Sequence, residues 1–78
     1  MFLQIISPEK TIYSDNVVLV QLPGEMGSFE ILKNHAPLIA LLEKGKAKII
    51  DTERKMFNLE LTEGIIEVKN NNIRILVS

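Results

Sequence analysis

Seventy-eight residues are enough for one small domain with one core, and a chain of that size buries only about 60 to 65% of its unfolded surface on folding. Hydrophobic residues make up 46% of it and charged residues 24%, an ordinary globular balance rather than a disordered one. The 9 basic and 10 acidic residues are interspersed, which leaves no charge stripe for a polyanion and excludes nucleic acid as an expected partner; the lack of cysteine removes disulfides, thiolate metal sites and cysteine nucleophiles together.

From the N-terminus onward the hydrophobic period is two, not 3.6, with apolar runs separated by Gly, Pro, Asn and Asp clusters. Met1 to Ile6 lacks the basic start of a signal peptide. The longest apolar stretch, Ala36 to Leu42, is broken by Pro37 and falls far short of the roughly 20 residues of a membrane-spanning helix. Membrane association is therefore expected only through a partner protein. Turn chemistry marks Ser7-Pro8-Glu9, Ser14-Asp15-Asn16, Pro23-Gly24, Asn34 to Pro37, Glu63-Gly64 and Asn70-Asn71-Asn72.

Between these turns the runs read as strands. Val17 to Leu22 is apolar on both faces, which fits a strand buried centrally in a sandwich or one whose second face a partner covers. Leu38 to Leu42 fits a strand running into a Lys44-Gly45 turn better than a short helix begun by Pro37. Phe57, Leu59 and Leu61 alternate with Asn58, Glu60 and Thr62, placing the first set on a core face. The Asn triplet predicts a hairpin between Ile65–Lys69 and Ile73–Val77, because Asn tolerates the left-handed region. The fold class is all-β, a small sandwich or barrel spanning residues 1–78.

Pro23 to Leu38 gathers Gly, Pro, Asn and the lone His35, and reads as a polar loop suited to binding. Gly24 and Gly27 do not form a phosphate loop, since no Lys-Ser/Thr ending and no helix follow. His35 has no second ligand at metal spacing. Asn34-His35-Ala36-Pro37 reads as a turn whose histidine satisfies backbone groups. The seven Ser and Thr residues and one His contain no recognisable triad, and Glu60, Glu63 and Glu67 have the spacing of solvated strand positions. No cofactor and no catalysis are expected.

Ser7-Pro8-Glu9-Lys10-Thr11-Ile12-Tyr13-Ser14, Asn34-His35-Ala36-Pro37-Leu38, Gly64-Ile65-Ile66-Glu67-Val68-Lys69-Asn70-Asn71 and Ile73-Arg74-Ile75-Leu76 occur in an order and spacing that resembles the epsilon subunit of F-type ATP synthases over its N-terminal domain. The resemblance implies an antiparallel β-sandwich of about ten short strands. It also implies a non-catalytic rotor subunit that grips the gamma subunit and touches the ring of c subunits, coupling proton transport to ATP synthesis. Such a subunit is peripheral to the energy-transducing membrane, on the cytoplasmic side of the bacterial inner membrane. By the same resemblance Gly27, Ser28, Glu30, Asn34 and His35 face the ring, with Glu30 and Lys33 placed to complement polar groups across a wet rim. Lys33 stands where the family commonly has proline, and Glu30 where it often has a small residue. The sequence given ends at Ser78, so the family's C-terminal helical hairpin, with its inhibitory arm and nucleotide site, is expected to be absent.

Two other small β modules fit less well. A lipoyl- or biotinyl-type carrier would present Lys44 or Lys46 beside Gly45 at a hairpin tip, but lacks the flanking Met or Asp. An oligonucleotide-binding barrel needs stacking aromatics and a basic groove, whereas only Phe2, Tyr13, Phe29 and Phe57 are aromatic.

Overall fold

The computed structural model describes residues 1–78 and contains eight strands and no helix: β1 (Phe2–Ile6), β2 (Thr11–Gly24), β3 (Gly27–Leu32), β4 (Leu38–Leu42), β5 (Gly45–Asp51), β6 (Met56–Leu61), β7 (Gly64–Lys69) and β8 (Asn72–Val77). Eight strands replace the expected ten or so because β2 runs unbroken for 14 residues. Ser14-Asp15-Asn16 is not a turn: Asp15 lies opposite Leu3 and Ser14 opposite Gln4 within the β1–β2 ladder. Pro23-Gly24 likewise ends β2, and the reversal falls on Glu25-Met26, followed by Gly27 at φ 117°. Turn-forming residues mark a turn only where no neighbouring strand satisfies their backbone, and here one does.

The eight strands form one hydrogen-bonded sheet that folds over into two layers, β1-β8-β7-β4 and β3-β2-β5-β6, joined where the first half of β2 pairs with β1 and where Gly24 of β2 pairs with Leu42 of β4. Every ladder is antiparallel except β1–β8, which is parallel. In the first layer the register aligns two inward rows, Leu3–Ile73–Val68–Leu38 and Ile5–Ile75–Ile66–Ala40. In the second, Ile31, Val20, Ile49 and Phe57 form the matching row. Fifteen apolar side chains form the core, and no polar or charged side chain is buried. Burying a Leu, Ile or Val side chain contributes about 1.5–3 kcal/mol, so the sandwich is held almost wholly by this cluster.

Strict alternation would put Val17 and Val20 on opposite faces, yet both are buried. The ladder explains it: Val17 faces Asp51 while Leu19 faces Ile50, so two steps along β2 match one along β5 and Val18 is the extra residue. This bulge reverses the inward phase of β2 at the point where it passes from β1 to β5. Hence Val17 to Leu22 is apolar on both faces without being fully buried, and Val18 and Leu19 remain half-exposed.

The predicted hairpin is present, with Asn70 and Asn71 at φ 51° and 61° in a two-residue turn of the kind that matches strand twist. Leu38–Leu42 is a strand, as expected, and the chain bends at Lys44 before β5. One turn gave no clear signal: Asp51 to Lys55, where Asp51 Oδ1 accepts from the Glu53 and Lys55 amides and Arg54 sits at φ 67°.

Gly64 opens β7 where a Cβ would strike the carbonyl oxygen of Leu76. That neighbour is backbone in a continuous ladder and has no rotamer to yield. Gly64→Ala is expected to cost about 2 kcal/mol, as overpacking does, and to lower the thermal midpoint by roughly 10 °C for a domain of this size; an unchanged melting curve would show that the β7–β8 ladder shifts freely.

Tyr13 stacks on Phe57 with ring centroids 5.6 Å apart and planes tilted by 46°. Desolvation raises its phenol above the ordinary value of 10.0, and the charges of Asp15 and Asp51 raise it further. Between the unfolded and folded pKa the unfolded state has lost the proton and the native state has kept it, so stability falls as pH climbs above about 10. Tyr13→Phe keeps the ring pair and removes the titration, and urea midpoints from pH 8 to 11 should decline less steeply for the variant than for the parent.

Candidate docking surface

The segment Pro23 to Leu38 is not one loop. Gly27–Leu32 is the edge strand β3, paired to β2 from Leu19–Leu32 to Gly24–Gly27, and only the Glu25-Met26 reversal and Lys33 to Pro37 lie outside the strands. The inward alternation of Phe29 and Ile31 was present in the sequence but hidden by the glycines and asparagine around it. Five steps at about 3.3 Å each put Gly27 roughly 17 Å from Leu32. The residues singled out from the sequence are thus spread along a sheet edge.

Period-two geometry divides them further. Ser28 and Glu30 point away from the core, Glu30 in an outer row with Gln21, Lys48 and Asn58. Gly27 and His35 instead border an open groove of about 490 Å³ between the edges of β3 and β4, with Phe29, Leu38, Ala40 and Leu41 among its walls. The structure therefore brings Gly27 and His35 to one groove and does not bring Ser28, Glu30 or Asn34 to it.

The five residues from Lys33 to Pro37 are all exposed. His35 donates its amide to the Leu32 carbonyl at 3.1 Å, closing a turn in which Asn34 takes φ 66°. Its Nδ1 lies 2.8 Å from the Ala36 carbonyl, so Nδ1–H is the donor. The histidine thus satisfies backbone groups, as the turn reading anticipates, and presents the remainder of its ring outward. No group of three His, Cys, Asp or Glu side chains is placed to hold a metal ion. Gly24 is required nearby, since a Cβ there would lie 2.7 Å from both the Gly27 carbonyl and the Phe29 ring.

A second exposed surface escaped the sequence reading. On the outside of the first layer Leu41, Ile65, Leu76 and Ile6 form a continuous apolar row, with Ile39 beside it. Ile39 is 68% exposed, Leu41 57% and Leu76 45%. The other layer carries a similar outer row of Leu32, Leu19, Ile50 and Met56, with Leu32 and Met56 more than half exposed. Leu38 to Leu42, apolar on both strand faces, was the available signal, of the same kind as Val17 to Leu22. Contiguous apolar rows rimmed by polar residues are the usual mark of a protein interface.

Residues 1–78 match the family model described as the ATP synthase, Delta/Epsilon chain, beta-sandwich domain. The chain belongs to this family. Among its relatives are the ATP synthase epsilon chains of Protochlamydia amoebophila, 39% identical over 95% of this chain and 50% of the relative, and of Leptospira borgpetersenii, 46% identical over 92% and 56%. The ATP synthase epsilon chain of Chlorobaculum tepidum is 35% identical over 95% of this chain and 84% of the relative. The chain thus spans about half the length of the first two relatives. The same fold occurs in a chain of the Euglena gracilis mitochondrial ATP synthase, with TM-score 0.89 and 16% identity over 96% of this chain and 48% of that one. A chain of the Tetrahymena thermophila mitochondrial ATP synthase central stalk and c-ring gives 0.81 and 20%, over 99% and 62%.

Because the outer row of this ATP synthase delta/epsilon-type domain contributes little to its core, the double substitution Leu41→Gln with Leu76→Gln should change stability by no more than about 1 kcal/mol. The thermal midpoint should accordingly stay within roughly 6 °C, while binding of an apolar dye falls. A collapse of the fold would place these side chains in the core instead.

Proposed function

We propose that this chain is a non-catalytic rotor subunit of an F-type ATP synthase, binding the gamma subunit and the ring of c subunits so that proton transport is coupled to ATP synthesis. The observation that carries the reading is the match of the whole chain to the epsilon-type sandwich domain. Relatives named as ATP synthase epsilon chains at up to 46% identity support it. On this reading the domain is peripheral to the energy-transducing membrane, on the cytoplasmic side of the bacterial inner membrane, and meets the bilayer only through its partners.

The physical arrangement suits a mechanical part. A standard interface buries about 800 Å² on each partner, roughly a sixth of the 5054 Å² this chain exposes. Two separate interfaces therefore fit. The polar edge of β3 with its following turn, including Gly27, Ser28, Glu30, Asn34 and His35, supplies a wet rim for the polar loops of the ring, with Lys33 of opposite charge to Glu30. The apolar outer rows supply the drier contact that a tightly held neighbour such as the gamma subunit needs. Torque passes between them through closed backbone ladders, with 48 backbone hydrogen bonds across the chain.

The carrier reading loses its support, because Lys44 lies at a bend and Lys46 inside β5, facing Glu60 across a regular ladder, so neither sits at a two-residue hairpin tip. Mixing the purified chain with the gamma subunit of the same synthase should give a stable complex on size exclusion at micromolar concentration, and Glu30→Lys should leave that complex intact while weakening attachment to the c-ring. Absence of a gamma complex would overturn the assignment.

A further inference from the structure

Asn34 and Asn71 stand 37 positions apart in sequence and meet across the end of the sandwich. The Asn34 amide donates to Asn71 Oδ1 at 2.6 Å, and Asn71 Nδ2 donates to Asn34 Oδ1 at 3.0 Å. Two bonds between the same pair of residues fix distance and orientation together, in a way one bond does not. Both residues lie in the left-handed region, at φ 66° and 61°, so each backbone bend turns its side chain toward the other. Asn71 is itself anchored, because its carbonyl accepts the Phe2 amide at 2.9 Å and its neighbours Lys69 and Asn72 are paired in the β7–β8 ladder.

From this geometry we infer that Asn71, in the β7–β8 turn, positions the histidine-bearing turn by a reciprocal clamp, in which Asn34 engages its backbone N–H and its side-chain oxygen. The turn from Leu32 to Pro37 is otherwise held only by bonds within itself, from the His35 amide to Leu32 and from His35 Nδ1 to the Ala36 carbonyl, and all its residues after Leu32 are exposed. The clamp therefore fixes where the outward side chains of Lys33 and His35 stand relative to the rigid first layer. Neither residue would show this role by its own contacts in sequence, since the pairing is a product of the topology that brings the β3–β4 connection beside the β7–β8 hairpin.

Asn71→Gly produces Asn-Gly in a two-residue hairpin, the pair such turns prefer, so the hairpin is kept and only the side-chain amide is lost. Asn34→Gly likewise keeps the positive φ and removes only the bond that Asn34 Oδ1 accepts, leaving its backbone N–H on Asn71 Oδ1. In nuclear magnetic resonance spectra of the 78-residue chain, Asn71→Gly should move the amide resonances of Asn34 and His35 and speed exchange of the Asn34 amide by roughly three- to tenfold, the loss expected for a net hydrogen bond. Cross-strand signals between Gly64 and Val77 should persist. The double variant should match Asn71→Gly, which already removes both bonds, and exceed Asn34→Gly, which leaves the Asn34 backbone N–H on Asn71 Oδ1. Unmoved Asn34 and His35 resonances in Asn71→Gly, or additive effects of the two substitutions, overturn the clamp.

Its consequence for docking rests on the rotor reading and is tested separately, by the affinity of each variant for isolated c-ring bearing the gamma subunit. A three- to tenfold loss in Asn71→Gly is expected. Wild-type affinity in a variant whose turn resonances have moved overturns the positioning role. Failure of the unaltered chain to bind would instead strike at the rotor reading and leave the clamp to stand or fall on the spectra.

Discussion

The whole architecture depends on one strand serving two layers. β2 pairs with β1 over its first half and with β3 and β5 over its second, and it accomplishes this by admitting an extra residue at Val18. Without the bulge, an inward Val17 would force Val20 and Leu22 outward, and the second layer would lose the middle of its inner row. With it, Val17, Val20 and Leu22 are all within 1% of complete burial. A 78-residue chain cannot spare the two core positions Val20 and Leu22, since its burial per residue is already at the low end for independent folding.

A core without a buried polar side chain has a consequence for specificity. Apolar contact is non-directional, so register has to be set elsewhere, and here it is set at the reversals. Asn34, Arg54, Asn70 and Asn71 are the non-glycine residues at positive φ, and each lies where the chain changes direction. Asp51 organises one turn through its carboxylate, and the asparagine pair couples two others. The polar chemistry of this molecule has thus been moved out of the interior and concentrated at its ends, where it fixes geometry at small cost in desolvation.

This division explains what the sequence disclosed and what it concealed. Alternation within β6 was legible because one of its faces is wet, and the Asn70-Asn71 turn was legible because its left-handed pair has few alternatives. The reach of β2 was not, because Ser14-Asp15-Asn16 and Pro23-Gly24 carry the chemistry of turns, and only the tertiary pairing of β1 and β3 shows that their backbone is already satisfied. The bulge at Val18 was invisible for a related reason: a run of valines and leucines looks the same in either phase. At the candidate site, His35 and Gly27 were recoverable as neighbours of unusual backbone, yet their division from Ser28 and Glu30 required knowing that Gly27–Leu32 is a strand. The part played by Asn71 lay beyond reach, since nothing local to Asn34 points 37 residues ahead.

On the proposed reading, the same division bears on how a domain this small would hold two partners at once. Its outer apolar rows lie on the strands, whose positions the core dictates, whereas the histidine-bearing turn lies beyond the strand ends and owes its place to polar contacts. On the proposed reading the first kind of surface suits a neighbour held throughout rotation, because side chains on a sheet face move only if the sheet does. The second suits a contact with polar loops, where a wet rim tolerates small adjustments and electrostatic match matters more than area. A load applied at the turn reaches the sheet through the Asn34–Asn71 bonds and the strand ends on either side. From there it is spread over the ladders of the first layer and, through β2, over those of the second, so the strand that completes the core is also the one that joins the two surfaces mechanically.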